Sequence, residues 1–457
     1  MQKEQLEEYL KLALSTGADY AELYLEDNKT TVYRLVDSKI DSVDTNYMKG
    51  LGIRITKGKQ SFYSSTDILT DDNIKKTIKK LTLNINDSTI VDVKIGQLID
   101  KTNTVNIPHD KYSTEEKRNI LYKIDNIARN ESNLISQVMC GILEMDKEFT
   151  LMNSKGKYLK GNNTWTRIMA SVFATRDDNK ERESTSFGKT AGYEMLEEIN
   201  LENEIKNITN TAIKKLDAKN FKGGEMPVVL CPGFGAVIFH EACGHGLEAT
   251  SVAPHLSVFS DDYGKTIASK KVTLIDDSTI ENSWGSFNID DEGNTPKKNI
   301  LIKDGILNSY LIDEFNSKEM KMESNGCGRR ENYRYATTSR MSNTYLAPGN
   351  DKIEDMIKSI EYGVYCESMS GGSVNPSTGD FNFSVETARL IEDGKLTDYL
   401  KGVALIGNSK EILKNVEMVS DDLKLETGFC GSKSGSIPVT IGQPTIKVSK
   451  ILVGGME

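Results

Sequence analysis

Apolar residues recur along this chain with two periods, and the switches between them mark its elements. Residues 2–16 place Leu6, Leu10 and Ala13 on one helical face, and 71–83 reads as a second helix. Between them, GADYAELYLED and TTVYRLVDSK alternate apolar and polar positions, which predicts two consecutive strands. NYMKGLGIRI and SFYSSTD follow as a hairpin turning at Lys57, Gly58 and Lys59. The stretch 85–110 is weakly patterned and reads as an extended connector. Ser113 and Glu116 form a capping box, and Ile120, Leu121, Ile124, Ile127 and Ala128 carry a helix to about Arg129. From 133 to 189 the alternation is strand-like, broken by NSKGK, KGNN and RDDNK turns, which predicts an antiparallel meander in a broad sheet. One or two helices over 191–217 close this half.

FKGG at 221–224 reads as a linker, and the strand at 226–230 feeds a helical run at 234–248, FGAVIFHEACGHGLE. Residues 251–265 look too polar and irregular for the core, so a loop over that run is expected. Strands fill 270–312, with a hairpin turn at Lys303, Asp304 and Gly305. A long polar loop at 321–343 carries Arg329, Arg330, Arg334 and Arg340, as a solvated surface or as a substrate contact. NPSTG and EDG turns join later strands, and GVALIGN leads to a short helix near 409–416. The last forty residues place Cys430 in a Gly/Ser-rich, accessible loop between strands. The fold class is therefore α+β. An N-terminal α/β domain with an antiparallel sheet covers 1–220, divisible into 1–85 and 110–220. A β-rich domain at 225–457 carries the helical run.

With 457 residues the chain is long enough for two or three domains. Its 37% apolar and 27% charged residues fit a soluble globular protein. A net charge of −10 argues against nucleic acid and anionic membranes as partners. No apolar run is long enough to span a membrane, and MQKEQLEEYLKLAL is an amphipathic helix rather than a signal peptide. Six scattered cysteines without a CxxC pattern point to reduced thiols in a cytoplasmic protein.

Two of the four histidines, His240 and His245, lie in the helical run with Glu241 beside the first. Zinc takes neutral imidazoles readily, and an adjacent carboxylate can serve as general base on metal-bound water. The histidines are five residues apart, HExxxH, rather than the four of HExxH. Five steps of a straight α-helix leave them about 140° apart, so sharing one ion requires a π-bulge. Gly244, directly before the second histidine, is suited to absorb that distortion. A bland alternative is an apolar helix bearing satisfied polar residues. For a third ligand, Cys430 and Glu248 rank level, ahead of His255 and Cys243; Cys140 and Cys231 fall in apolar strand-like stretches.

HEACGHGLEA, SRMSNTYLAPG, SGGSVNPSTGDFNF, KGVALIGN and FCGSKSG with IPVTIGQPT resemble the TldD/PmbA family of metallopeptidases. GADYAELYLE and GLGIRI resemble that family's first domain, so the likeness spans nearly the whole chain. It implies one Zn²⁺ per chain held by His240, His245 and Cys430, with Glu241 as general base. It points to the TldD type, since PmbA-type partners typically lack the metal motif. It further implies an unfolded or modified peptide held as an added strand, and a dimer with itself or with a PmbA-like subunit. Ala249 and Thr250 depart from the family's usual Gly-Asp, and Cys243 places a thiol within the motif. The rival reading is a non-catalytic peptide-binding subunit, its site closed by Glu248 or Cys243 or lacking metal.

Overall fold

A computed structural model describes residues 1–83, 85 and 93–456. The expected connector at 85–110 falls partly on 86–92, outside the described residues, and the rest includes one short strand. Seven strands form the first sheet: β1 (Tyr20–Val36), β2 (Lys39–Lys57), β3 (Gln60–Thr66), β4 (Ile99–Lys101), β5 (Ile135–Asn153), β6 (Tyr158–Arg176) and β7 (Asn179–Lys189). Their order is β3-β2-β1-β5-β6-β4, with β7 also on β6, and only β4 runs parallel to its neighbour. The two strands expected between the first helices are one. Polar Asp27 and Asn28 stay paired on both sides, to Lys49 and Met48 of β2 and to Glu148 and Lys147 of β5.

Alternation along β1 divides the work of this sheet's faces. Odd positions such as Leu23 and Leu35 meet helices. Helices α1 (Lys3–Leu14) and α2 (Asp71–Thr82) cover Leu23, Leu51, Ile53 and Ile55. Helices α3 (Thr114–Glu131) and α4 (Leu201–Lys215) cover Leu35, Val138, Cys140 and Ile142. Ser113 caps α3 as its sequence requires, its hydroxyl accepting from the Glu116 N–H at 3.2 Å. Even positions, Glu22, Tyr24 and Glu26, are buried against the second half of the chain.

That half begins with β8 (Gly224–Leu230), β9 (Leu274–Asp277), β10 (Lys298–Lys303) and β11 (Ile306–Leu307). It continues through β12 (Gly328–Arg329), β13 (Thr338–Ser339), β14 (Asn343–Leu346), β15 (Tyr362–Val374) and β16 (Asp380–Glu392). It ends with β17 (Lys395–Leu400), β18 (Ala404–Asn408), β19 (Val416–Val419), β20 (Lys424–Ser432), β21 (Gly435–Gln443) and β22 (Ile446–Gly454). One sheet of six runs β11-β10-β9-β14-β21-β20, and one of seven runs β15-β8-β22-β18-β16-β17 with β19 on β22. Both contribute to one core, in which Val228, Phe383, Leu274 and Ile441 surround Ile238, Phe239 and Leu247 of the helical run.

Residues 251–265 are the irregular segment expected over the helical run, but not a wholly polar one: Phe259 is fully buried against Gly246, and Ser257 Oγ donates to the Gly246 carbonyl at 2.5 Å. Three of the four arginines of 321–343 are not a solvated surface, while Arg334 is exposed. Arg329, Arg330 and Arg340 are 5%, 2% and 0% exposed, because acidic side chains and backbone carbonyls wait for them inside.

Arg330 joins the two halves. Its Nη2 meets Glu22 Oε1 of β1 at 2.5 Å, and its guanidinium lies 4.2 Å from the Tyr24 ring centre. Tyr24 in turn donates to Asp291 Oδ1 at 2.8 Å, and Arg54 of β2 pairs with Glu292 at 3.4 Å. A Cβ on Gly50 would stand 2.2 Å from Tyr333, so only glycine allows this approach.

Asp290, in the same region, is pushed up to about 7 by burial, against the pull of the Asn294, Glu292 and Gly328 N–H groups. A carboxyl that keeps its proton to higher pH when folded favours folding on the acid side. That contribution is lost as pH rises from the ordinary carboxylate range through the folded value. Thermal unfolding should therefore show the wild type losing more Tm than Asp290→Asn between about pH 5 and about pH 8; parallel curves would refute the assignment.

Candidate metal centre

The helical run opens on a 3-10 turn at Gly233–Ala236 and then changes pitch three times. Val237–Phe239 is an α turn, His240–Gly244 a π turn and His245–Leu247 a 3-10 turn. The His245 N–H bonds back to the His240 carbonyl, the i→i+5 pattern of a π-helix. The extra residue brings the two imidazoles onto one side, ring centres 5.4 Å apart and nearly perpendicular at 82°. Gly244 serves this differently from the expectation. Its φ of −54° suits any residue, but a Cβ there would lie 2.0 Å from Met341 Sδ. The missing side chain supplies room, not backbone freedom.

Cys430 is likewise not in an accessible loop. It sits within β20 opposite Ile437 of β21, 3% exposed. Strand pairing continues to Ser432 and Gly435, so the Gly/Ser-rich segment is a tight hairpin instead. The hairpin delivers Cys430 Sγ to 3.2 Å from His245 Nε2. One nitrogen from each of His240 and His245, and the Sγ of Cys430, lie within 4.8 Å of one another. Among the described residues this is the one such cluster of His, Cys, Asp and Glu.

Burial alone would raise the Cys430 thiol, but His240 and His245 outweigh it and hold the thiol well below its ordinary value. Burial likewise opposes protonation of His245, yet Glu248 and Cys430 draw it well above the usual imidazole range. A cation taking the place of the His245 proton would balance the negative charge that the Cys430 thiolate and Glu248 concentrate there. His240 Nδ1 is also buried without a hydrogen-bond partner. Ligand atoms on one zinc ion, with bonds of about 2.0–2.3 Å, lie within about 4.6 Å of each other, so this donor set fits zinc with little movement.

The remaining candidates separate by position. Glu241 is a quarter exposed, its Oε2 3.8 Å from His245 Nε2. Glu248 Oε2 meets the other nitrogen, His245 Nδ1, at 3.1 Å, so it backs the ring from outside the cluster. Cys243 is fully buried in the core, which pushes its thiol up, and His255 is largely exposed beside Asp261.

Three family models match in order: PmbA/TldA metallopeptidase domain 1 over 21–84, the central domain over 107–219 and the C-terminal domain over 223–455. A metalloprotease TldD homolog of Buchnera aphidicola is 33% identical over 96% of this chain and 93% of its own. The chain belongs to the PmbA/TldD metallopeptidase family. A zinc metalloprotease TldD homolog of Saccharolobus solfataricus is 26% identical over 98% of this chain and 99% of its own. In fold, TldE from Thermococcus kodakarensis superposes with a TM-score of 0.79 at 20% identity, covering 99% of this chain and 100% of that one.

In this member of the family, Arg340 is the residue that motif reading missed. Its Nη2 donates to the Cys430 carbonyl, and its Nη1 to Ser434 Oγ and the Gly435 carbonyl, both at 2.9 Å. Its Nε lies 3.8 Å from Glu248 Oε1, and both atoms are buried without another partner. One guanidinium thus braces the hairpin bearing Cys430 and, through Glu248, the ring of His245. The only sequence signal was an arginine in a polar loop, which looks like surface.

Gly244→Ala should destabilise the fold by about 1–3 kcal/mol through overpacking on Met341, read as a lower urea midpoint at unchanged slope. An unchanged midpoint would mean that Met341 yields freely.

Proposed function

We propose that the chain is a zinc-dependent peptidase hydrolysing unfolded or modified peptides, with Glu241 as general base and 225–457 as the catalytic domain. The observation that carries this is the convergence of two imidazoles and a thiol, 185–190 residues apart in sequence, with a part-exposed carboxylate alongside. His240, His245 and Cys430 would hold the ion, giving the three protein ligands typical of catalytic zinc. When bound, zinc supplies Lewis acidity toward water and the scissile carbonyl.

The chain's own groups do the rest. Glu241, less buried than the three ligands, takes a proton at its carboxylate and hands it to the leaving amine nitrogen. Glu248 accepts from His245 Nδ1 and so keeps Nε2 free for the ion. That Glu248 faces away from the cluster, and that Cys243 points into the core, supports an open fourth position over a closed structural site.

β20, which carries Cys430, has strand pairing on one side only among the described residues, to β21. An edge strand of this kind accepts an extended peptide by main-chain hydrogen bonds with little sequence selectivity. Family resemblance supports a dimer, of identical chains or with a PmbA-like subunit, in the cytoplasm. Among the described residues no helix is long and apolar enough to cross a membrane.

Metal analysis by mass spectrometry should find zinc in the purified wild type and lose most of it in Cys430→Ser. Retention in the variant would remove Cys430 from the ligand set. Glu241→Gln should keep the metal while cleavage of an unfolded peptide falls by about 10²–10⁴-fold. Full activity in that variant would assign the base elsewhere.

A further inference from the structure

A cleft of about 740 Å³ opens between β7 and the start of β20, lined among others by Phe234, Met369, Leu425 and Thr427. Arg167 of β6 lines it too, and its surroundings are unusual for a cation. Its guanidinium carbon lies 5.7 Å from the Trp284 ring centre and 5.5 Å from that of Phe429. Nη2 donates to Ser186 Oγ at 2.9 Å and to the Thr427 carbonyl at 3.2 Å. Nε is buried with no hydrogen-bond partner. Burial, with no carboxylate to offset it, pushes the guanidinium down to about 10.

Several neighbouring charges in the cleft are matched, while Lys424, Glu204 and Glu426 line it outside any ion pair among the described residues. Arg182 pairs with Glu386 at 3.3 Å, Lys189 with Glu198 at 2.9 Å, and Glu183 with Lys215 at 3.1 Å. Glu426, which shares the cleft, is pushed up by burial. A largely buried arginine without an acid is costly unless something anionic joins it. Its position shows what that could be. By holding the Thr427 carbonyl, Arg167 occupies the edge of β20 at that point. Thr427 is three residues from Cys430, about 10 Å along a strand at about 3.3 Å per residue.

We infer that Arg167 is the receptor for a carboxylate of the bound peptide, anchoring it about three residues from the bond presented at the metal cluster. This rests on the peptidase reading above. The carboxylate is either the free C-terminus, which would make cleavage occur near the peptide's end, or an acidic side chain.

Binding can be followed without turnover in the Glu241→Gln background, by fluorescence anisotropy with three dye-labelled unfolded peptides. One has a free C-terminal acid and no other acid, one is its amide, and one is the amide with a single internal Glu. The free acid should bind about tenfold tighter than the amide, with the ratio falling to near one after Arg167→Met and partly kept in Arg167→Lys. Methionine keeps an unbranched stem between the rings, so folding can be verified by circular dichroism, and the lysine variant keeps the charge. An Arg167-dependent gain confined to the internal-Glu peptide would support the proposal with the side chain as source. The same ratios with and without Arg167 would overturn it. If the Glu241-containing enzyme then still cleaves the amide, the peptidase reading survives and only the carboxylate receptor fails.

Discussion

Two histidines five residues apart cannot face one ion from a regular α-helix, and much of this structure follows from meeting that demand. The π turn at His240–Gly244 satisfies it. Such a turn is marginal by itself, since it gives up α-helical hydrogen bonding. It persists here because both sheets of the second half close around it, with Ile238, Phe239 and Leu247 on the inside. Met341 lies so close to Gly244 that a side chain there would have to displace it. The distortion is therefore held by packing on every side.

Buried charge is the second organising element. Arg330, Arg340 and Arg167 all lie inside or nearly so, yet they do different things. Arg330 is matched by Glu22 and Asp291 and pins the N-terminal sheet to the second half. Breaking such a pair leaves an uncompensated charge in low dielectric, a loss of about 3–5 kcal/mol. Arg340 is spent on carbonyls and on Glu248, holding a hairpin and a helix in register. Arg167 has aromatic faces, one hydroxyl and one carbonyl partner but no acid, which distinguishes a receptor from a brace.

The two roles of β20 connect these elements. One side of the strand pairs with β21 and fixes Cys430. Its other side lies along the cleft, bounded by Arg167 at Thr427. A thiol and an open backbone edge thus lie within the nine residues of one strand, Lys424–Ser432, and a cation from β6 meets it at Thr427.

Local sequence determined a good deal of this. Capping at Ser113, the hairpins at Gly58 and Gly305, the meander of β5–β7 and the helical faces of α1 and α3 depend on neighbours a few residues away, so spacing reveals them. The HExxxH pattern was legible for the same reason: helix geometry alone says it needs an extra residue per turn. Tertiary structure decided the rest. Asp27 and Asn28 look like a break but are held by strands on either side. Cys430 looks like loop because Gly and Ser surround it, yet pairing with Ile437 makes it strand. Arg340 and Arg330 look like surface because a lone arginine usually is; only the fold brings Glu248, Glu22 and the Cys430 carbonyl to them from far along the chain. Contacts between residues 90 to more than 300 positions apart leave no periodic trace in sequence, and the candidate site is built from those 90 to 185 positions apart.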